Sequence, residues 1–166
     1  LGRAIDFCQA TLAYGRAAEA TPSLREVPLR QLVGEQAEML GLSEAGTPQF
    51  ANEVPAGLVA SCDPEQIARV LLNLMRNSVQ ALTQAGAEDG DVPRLVVTGA
   101  QAGDAAVLRV VDNGPGVPPR ARANLFQAFT GSVTPGGTGL GLAVAAELVR
   151  LHGGTIELEP SPAGAV

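Results

Sequence analysis

An α+β sandwich, with a mixed sheet and helices packed on one of its faces, is the fold class this sequence predicts. Three observations lead there. Helical and strand-like stretches are mixed without a repeating βαβ alternation or an internal repeat. A long apolar stripe, Ile67, Val70, Leu71, Leu74, Met75, Val79 and Leu82, recurs at helical spacing. Two glycine clusters bracket a short loop: Asp112-Asn113-Gly114-Pro115-Gly116 follows a strand-like run, and Gly137-Thr138-Gly139-Leu140-Gly141 opens a helix-like one.

The elements follow in order. Leu1, Ile5, Cys8 and Leu12 give residues 1–20 an amphipathic helical rhythm that ends before Thr21-Pro22. Val27-Pro28 introduces a second helix carrying Leu29, Leu32, Val33, Met39 and Leu40, with Gly41 past its end. Residues 49–53 and 58–61 read as short strands about the turn at Pro55-Ala56-Gly57. Asp63-Pro64-Glu65 starts the long helix, with Asp63 as N-cap, proline in the first turn and an acid beside it. Strands are expected at 95–98 and 106–111 around Gly103-Asp104, then a Pro- and Gly-rich stretch to Gly137. Residues 138–151 read as a helix closed by Gly153-Gly154, and 155–158 as a last strand.

At 166 residues and 46% hydrophobic content the chain can bury one sizeable core, so one domain over 21–166 with an extension at 1–20 is expected. A net charge of −6 offers no basic field, which argues against nucleic acid as a partner. Cys8 and Cys62 stand far apart, outside any metal or redox spacing, as suits a reducing, cytoplasmic compartment. No apolar run reaches the roughly 18 residues that cross a bilayer. The chain starts at Leu1 without methionine and stops soon after a strand, so it reads as a piece of a longer polypeptide whose anchoring it does not reveal.

The chemistry concentrates in a few positions. Asn73 and Asn77, four apart on the long helix, share a face. A buried amide without partners costs on the order of 1–3 kcal/mol, so they either face solvent, cap a neighbouring loop, or serve a ligand. An amide oxygen at Asn77 suits Mg²⁺, which takes few protein oxygens alongside substrate phosphates. Asp112 closes a β-rich run; its carboxylate only accepts hydrogen bonds, which suits an exocyclic amine such as that of adenine, although Asp-Asn-Gly is also a common turn. Gly137, Gly139 and Gly141 are costly at a helix start unless backbone N–H groups must approach phosphate closely. The cluster fits neither the dinucleotide fingerprint nor the lysine-bearing P-loop.

In combination, Asn73-Leu74-Met75-Arg76-Asn77, Asp112-Asn113-Gly114-Pro115-Gly116, Leu125-Phe126-Gln127-Ala128-Phe129 and Gly137-Thr138-Gly139-Leu140-Gly141 resemble, in order and spacing, the N, G1, F and G2 boxes of sensor histidine kinases. These belong to the wider ATPase superfamily with gyrase B, Hsp90 and MutL. The resemblance, over about residues 28–158, implies a Bergerat-type α/β sandwich holding ATP with Mg²⁺ under a mobile lid at 117–136. It implies Asp112 at adenine N6, Gly114 and Gly116 under the base, Asn77 on the metal with Asn73 assisting, Phe126 and Phe129 anchoring the lid, and Gly137, Thr138, Gly139, Leu140 and Gly141 at the phosphates. Hydrolysing members of the superfamily resemble one another in having a glutamate where this chain has Asn73, and an amide cannot take a proton from water. Phosphoryl transfer to a histidine, and thence to a response-regulator aspartate, is therefore the implied activity. Readings as a non-catalytic scaffold or an anti-sigma-type serine kinase stand as alternatives.

The chain departs from the pattern twice. No lysine or arginine lies between Phe129 and Gly137, leaving Arg76 as the nearest candidate cation. The phosphoacceptor motif is absent, and His152 reads as a helix-end residue. Residues 1–20 would resemble the tail of a dimerisation and phosphotransfer hairpin whose acceptor helix, and homodimer contact, lie upstream.

Overall fold

In the computed structural model, which describes residues 15, 21–46, 48–85, 92–128 and 139–160, the elements run β1 (Arg25–Pro28), α1 (Leu29–Met39), β2 (Gln49–Glu53), β3 (Val59–Cys62), α2 (Pro64–Ala85), β4 (Arg94–Ala102), β5 (Ala105–Asp112), α3 (Pro119–Arg122) and α4 (Gly141–Leu151). The expected helix at 1–20 lies, Gly15 aside, outside the described residues, as do Cys8, Phe129, Gly137 and Thr138. No helix among the described residues is long and apolar enough to cross a membrane.

The sheet is mixed, as expected. Its order is β2-β4-β5, with β2 parallel to β4 through Phe50↔Leu95 and β4 antiparallel to β5 through Leu95↔Asp112. Along β4 the pleat turns Leu95 and Val97 into the core while Arg94 stays exposed and Val96 and Thr98 half-buried. Leu29, Leu32 and Val33 of α1 and Leu71, Met75 and Leu82 of α2 pack with Phe50, Leu95 and Val97 into one cluster. Cys62 is buried in this cluster, and burial pushes its thiol up, consistent with packing.

A second cluster forms where α4 lies on α2. Val144, Ala145 and Leu148 meet Val70, with Ile67 and Leu74 against them. Thus α4 covers one flank of α2.

The long helix starts where the sequence places it. Asp63 Oδ1 accepts the N–H groups of Glu65 at 3.0 Å and Gln66 at 3.1 Å, capping α2, while Oδ2 accepts Ser23 N–H at 2.9 Å. Burial opposes charge on Asp63, but these three donors hold the carboxyl below its usual range. Helix α1 ends at Gly41, φ 68°, with Leu42 N–H returning to Ala37 O at 2.9 Å; α4 ends the same way at Gly153, φ 72°, with Gly154 N–H on Val149 O at 3.0 Å.

Three features differ from expectation. Arg25–Pro28, read as the lead into a helix, forms β1 because it finds β3 as an antiparallel partner, Arg25↔Cys62 to Pro28↔Val59. Residues 155–158, expected as a strand, form none: Ile156 packs against the α2–α4 cluster, and Arg109 on β5 grips Glu159 at 2.9 Å in place of a backbone ladder. Within the expected lid, proline in the first turn opens the short helix α3, and α4 begins at Gly141, three residues later than expected.

Candidate functional site

Helix α2 is the spine of the site. Its step of about 100° per residue puts positions three and four apart on one face. Toward its N-terminus that face is covered by α4, through Ile67, Val70 and Leu74. The cover stops at Gly141, where a Cβ would lie 3.5 Å from Asn73 Oδ1. Asn77 and Ala81 continue the same side of the helix, and a Cβ at Gly114 would meet Ala81 Cβ at 3.8 Å and Leu82 Cδ2 at 3.5 Å. The two glycine clusters therefore touch α2 at points roughly two turns apart, about 12 Å along its axis.

At the β5 end, Asp112 is paired with Leu95 and only 7% exposed. Its Oδ1 accepts Gly114 N–H at 2.9 Å. Burial pushes the Asp112 carboxyl up, against the opposing pull of the nearby Ser78 side chain and the Gly114 N–H. A Cβ at Gly114 would fall 2.8 Å from Asp112 Oδ1, so any side chain there would push the carboxylate aside. Gly116 holds φ 72°, a left-handed conformation that favours glycine. Asn113 clasps β4, its Oδ1 accepting Arg94 N–H at 2.7 Å and its amide donating to Val92 O at 3.0 Å. Asn113 is thus committed to structure.

At the α4 end, Asn73 and Asn77 are half-buried, and neither amide makes a hydrogen bond among the described residues. Among the described residues they cap no loop, and their polar groups stand available to a ligand. Gly139 has φ 69°, Leu140 is fully buried, and its carbonyl accepts Val144 N–H at 2.8 Å, so the loop is anchored where the helix opens. Arg76 is exposed and makes no ion pair among the described residues.

Not every expected residue joins this strip. Phe126 is half-buried and lines a separate hollow of about 470 Å³ with Arg122 and Ile156. Another hollow, about 260 Å³, lies between β1 and α1, away from Asn73, Asn77 and Asp112. Ser78 was not singled out from the sequence. It sits in the row Leu71, Met75, Leu82 on the core face, and a hydroxyl in that apolar row was the available signal.

His152 is engaged at both ring nitrogens. Nδ1 lies 2.7 Å from Leu148 O and Nε2 accepts Asp63 N–H at 3.0 Å, which fixes the neutral tautomer with its proton on Nδ1. It also stands at the far end of α4 from Gly141, about 16 Å away along the helix. Among the described residues no group of three His, Cys, Asp or Glu could hold a metal ion. A cation on this strip would need its remaining oxygens from a ligand, and a single unbonded amide such as Asn77 suits Mg²⁺ on those terms.

Comparison with known proteins bears on this geometry. The sensory histidine kinase/phosphatase NtrB of Salmonella typhimurium is 43% identical over 107 residues, 60% of this chain and 30% of NtrB. The circadian input-output histidine kinase CikA of Synechococcus elongatus is 36% identical over 145 residues, 84% of this chain and 17% of CikA. The chain thus spans less than a third of the length of these relatives. Full-length ShkA, crystallised with AMPPNP, superimposes with a TM-score of 0.66 at 26% identity, covering 89% of this chain and 31% of that one. The nucleotide-free catalytic domain of the histidine kinase ThkA shares the fold, with a TM-score of 0.67 at 22% identity and coverage of 86% and 90%. Residues 62–166, well over half of the chain, match one family throughout. The chain belongs to the histidine kinase-, DNA gyrase B-, and HSP90-like ATPases.

Proposed function

We propose that this chain is the ATP-binding catalytic domain of a two-component sensor histidine kinase. It would transfer the ATP γ-phosphate to a histidine on an upstream hairpin, which also forms the homodimer, and thence to a response-regulator aspartate. The observation that carries the proposal is the strip on α2, with a buried acceptor-only carboxylate at Asp112 and two unbonded amides, Asn73 beside Gly141 and Asn77 one turn further on. A nucleoside triphosphate has the same polarity along its length. Asp112 accepts from adenine N6, Gly114 and Gly116 let the chain pass under the base, and Gly137, Thr138, Gly139, Leu140 and Gly141 offer backbone N–H groups to the phosphates. Asn77 would hold Mg²⁺, whose part is to neutralise phosphate charge; Asn73 orients the terminal phosphate, and Arg76 is the nearest cation. Phe126 and Phe129 belong to the lid.

In the transfer the acceptor imidazole nitrogen bonds to the γ-phosphorus as the bond to the β,γ-bridging oxygen breaks, and ADP leaves. Asn73 cannot deprotonate water, which favours transfer over hydrolysis. His152 uses both nitrogens inside the fold, which supports an acceptor elsewhere. Incubation with γ-labelled ATP and Mg²⁺ tests the reading. The chain alone is expected to bind ATP in preference to GTP and to remain unlabelled. A dimerisation hairpin from the same parent, added in trans, is expected to take up acid-labile, alkali-stable label. Label on His152 or on a serine of this chain, without a hairpin, would overturn it.

A further inference from the structure

Helices α2 and α4 run in opposite directions, and two contacts mark their shared ends. At one end a Cβ on Gly141 would lie 3.5 Å from Asn73 Oδ1. At the other, His152 Nε2, just past the end of α4, accepts the N–H of Asp63, just before α2, at 3.0 Å. Asp63 and Asn73 lie about 15 Å apart along α2, and Gly141 and His152 about 16 Å apart along α4, so the two helices keep step from one contact to the other.

The cluster between those ends is apolar, Val144, Ala145 and Leu148 against Val70, with Ile67 and Leu74 beside them. Apolar burial is non-directional, so it holds the helices together more firmly than it fixes how far one lies along the other. A hydrogen bond is short-ranged and directional, and does fix that. Both partners of the bond between His152 and Asp63 are themselves held. The imidazole is oriented by Nδ1, 2.7 Å from Leu148 O in the last turn of α4. The Asp63 N–H belongs to a residue whose carboxylate already caps α2 through the N–H groups of Glu65 and Gln66.

We infer that His152 is a positioning residue for the loop that opens α4: by holding the far end of the helix on the Asp63 N–H, it sets how far α4 lies along α2, and hence where Gly139 and Gly141 stand against Asn73. The inference rests on the assignment of that loop to phosphate made above. His152→Asn would keep an amide donor near the place of Nδ1 and lose the acceptor. His152→Gln would carry an amide oxygen to about the place of Nε2 and keep it.

The test titrates ATP with Mg²⁺ into the wild-type chain, His152→Asn, His152→Gln and Gly153→Ala, each at a temperature where urea melts show it folded. His152→Asn is expected to bind ATP about fivefold more weakly, in keeping with one neutral hydrogen bond. His152→Gln is expected to recover most of that loss. Gly153→Ala strains the same helix end without removing the acceptor, and is expected to lose stability but not affinity. A merely structural His152 would lower the urea midpoint and leave the affinity of the folded chain alone, so wild-type affinity in His152→Asn overturns the role. So does an equal loss of affinity in His152→Gln or Gly153→Ala, and a His152→Asn chain that does not fold makes the residue a determinant of the fold and overturns it too. A wild-type chain that does not bind ATP overturns the proposed function itself, and this inference with it.

Discussion

The two ends of the α2 strip are built in opposite ways. At Asp112 the polar groups are tied into the fold: the carboxylate is buried and accepts Gly114 N–H, and Asn113 ties the loop to β4. At Asn73 and Asn77 the amides are half-buried and unbonded, beside a loop anchored chiefly through Leu140. A flat, uncharged base offers few hydrogen bonds, so it can be told from another only by groups whose direction is already set. A polyanion interacts at longer range and can be held by donors that keep water as a partner until it arrives. On the proposed assignment of the strip, burial is concentrated where the base would be discriminated and exposure where charge would be handled.

Removing Asp112 tests the built end most severely. Asp112→Ala is expected to weaken ATP binding by about 1.5–3 kcal/mol, the range for a hydrogen bond to a charged group, measured by calorimetry. The same substitution is not expected to unfold the chain, because burial already disfavours the charged carboxylate. With its folded pKa raised, this group takes up a proton in the fold at a pH where the unfolded chain does not. Its contribution to stability therefore improves as the pH falls through the folded value. The alanine variant should lack that acid-side gain in urea titrations.

The two ends of α4 sharpen the contrast. Gly153 holds φ 72°, so Gly153→Ala is expected to cost about 1–2 kcal/mol of stability, the penalty for a left-handed L-residue, while leaving nucleotide affinity unchanged. At Gly141 an added Cβ would meet Asn73 Oδ1 at an ordinary 3.5 Å. Gly141→Ala should therefore leave the fold intact and reduce ATP affinity by obstructing the approach of phosphate. Equal effects from both substitutions on both measurements would erase the distinction between a structural and a ligand-facing glycine.

How legible this arrangement was in the sequence depended on how local its cause is. The start of α2 was legible because Asp63 bonds backbone groups two and three residues ahead. The shared face of Asn73 and Asn77 follows from helical pitch alone, and the crowding at Gly114 comes from a side chain two residues away. β1 was not legible: four residues become a strand only because β3, far along the chain, pairs with them, and Val27 is the single buried side chain among them. The missing strand at 155–158 is the reverse case, an alternating sequence without a paired neighbour. Ser78 escaped notice because a lone serine in an apolar row reads as a tolerated small residue.

Asp63 gives a smaller and pH-dependent effect at a third place, where α2, α4 and the approach to β1 are tied together through Ser23, Glu65, Gln66 and His152. Its folded pKa lies below the unfolded one. The stability it contributes is therefore fully present above the unfolded value, near pH 4, and is lost as the pH falls through the folded value. Asp63→Ala is expected to cost about 1 kcal/mol at neutral pH through loss of the cap. Asp63→Asn, which still caps, should keep most of the neutral stability and flatten the acid limb of the urea midpoint. An unchanged acid limb in Asp63→Asn would place the charge outside the linkage.

The smallest expected change in stability belongs to Asn77. Its amide makes no hydrogen bond among the described residues, and its position is half-buried on a helix where alanine is favourable. Asn77→Ala should therefore unfold within about 0.5 kcal/mol of wild type, as surface substitutions without structural partners do. If the open end of the strip is completed by a ligand and its cation, the same variant should lose the Mg²⁺ dependence of ATP binding, read by titration with and without the metal. An unfolded variant would make the amide a structural group whose partner lies in the fold. Retained Mg²⁺ dependence would move the cation to another oxygen, leaving the Asp112 end as the only part of the strip committed to the nucleotide.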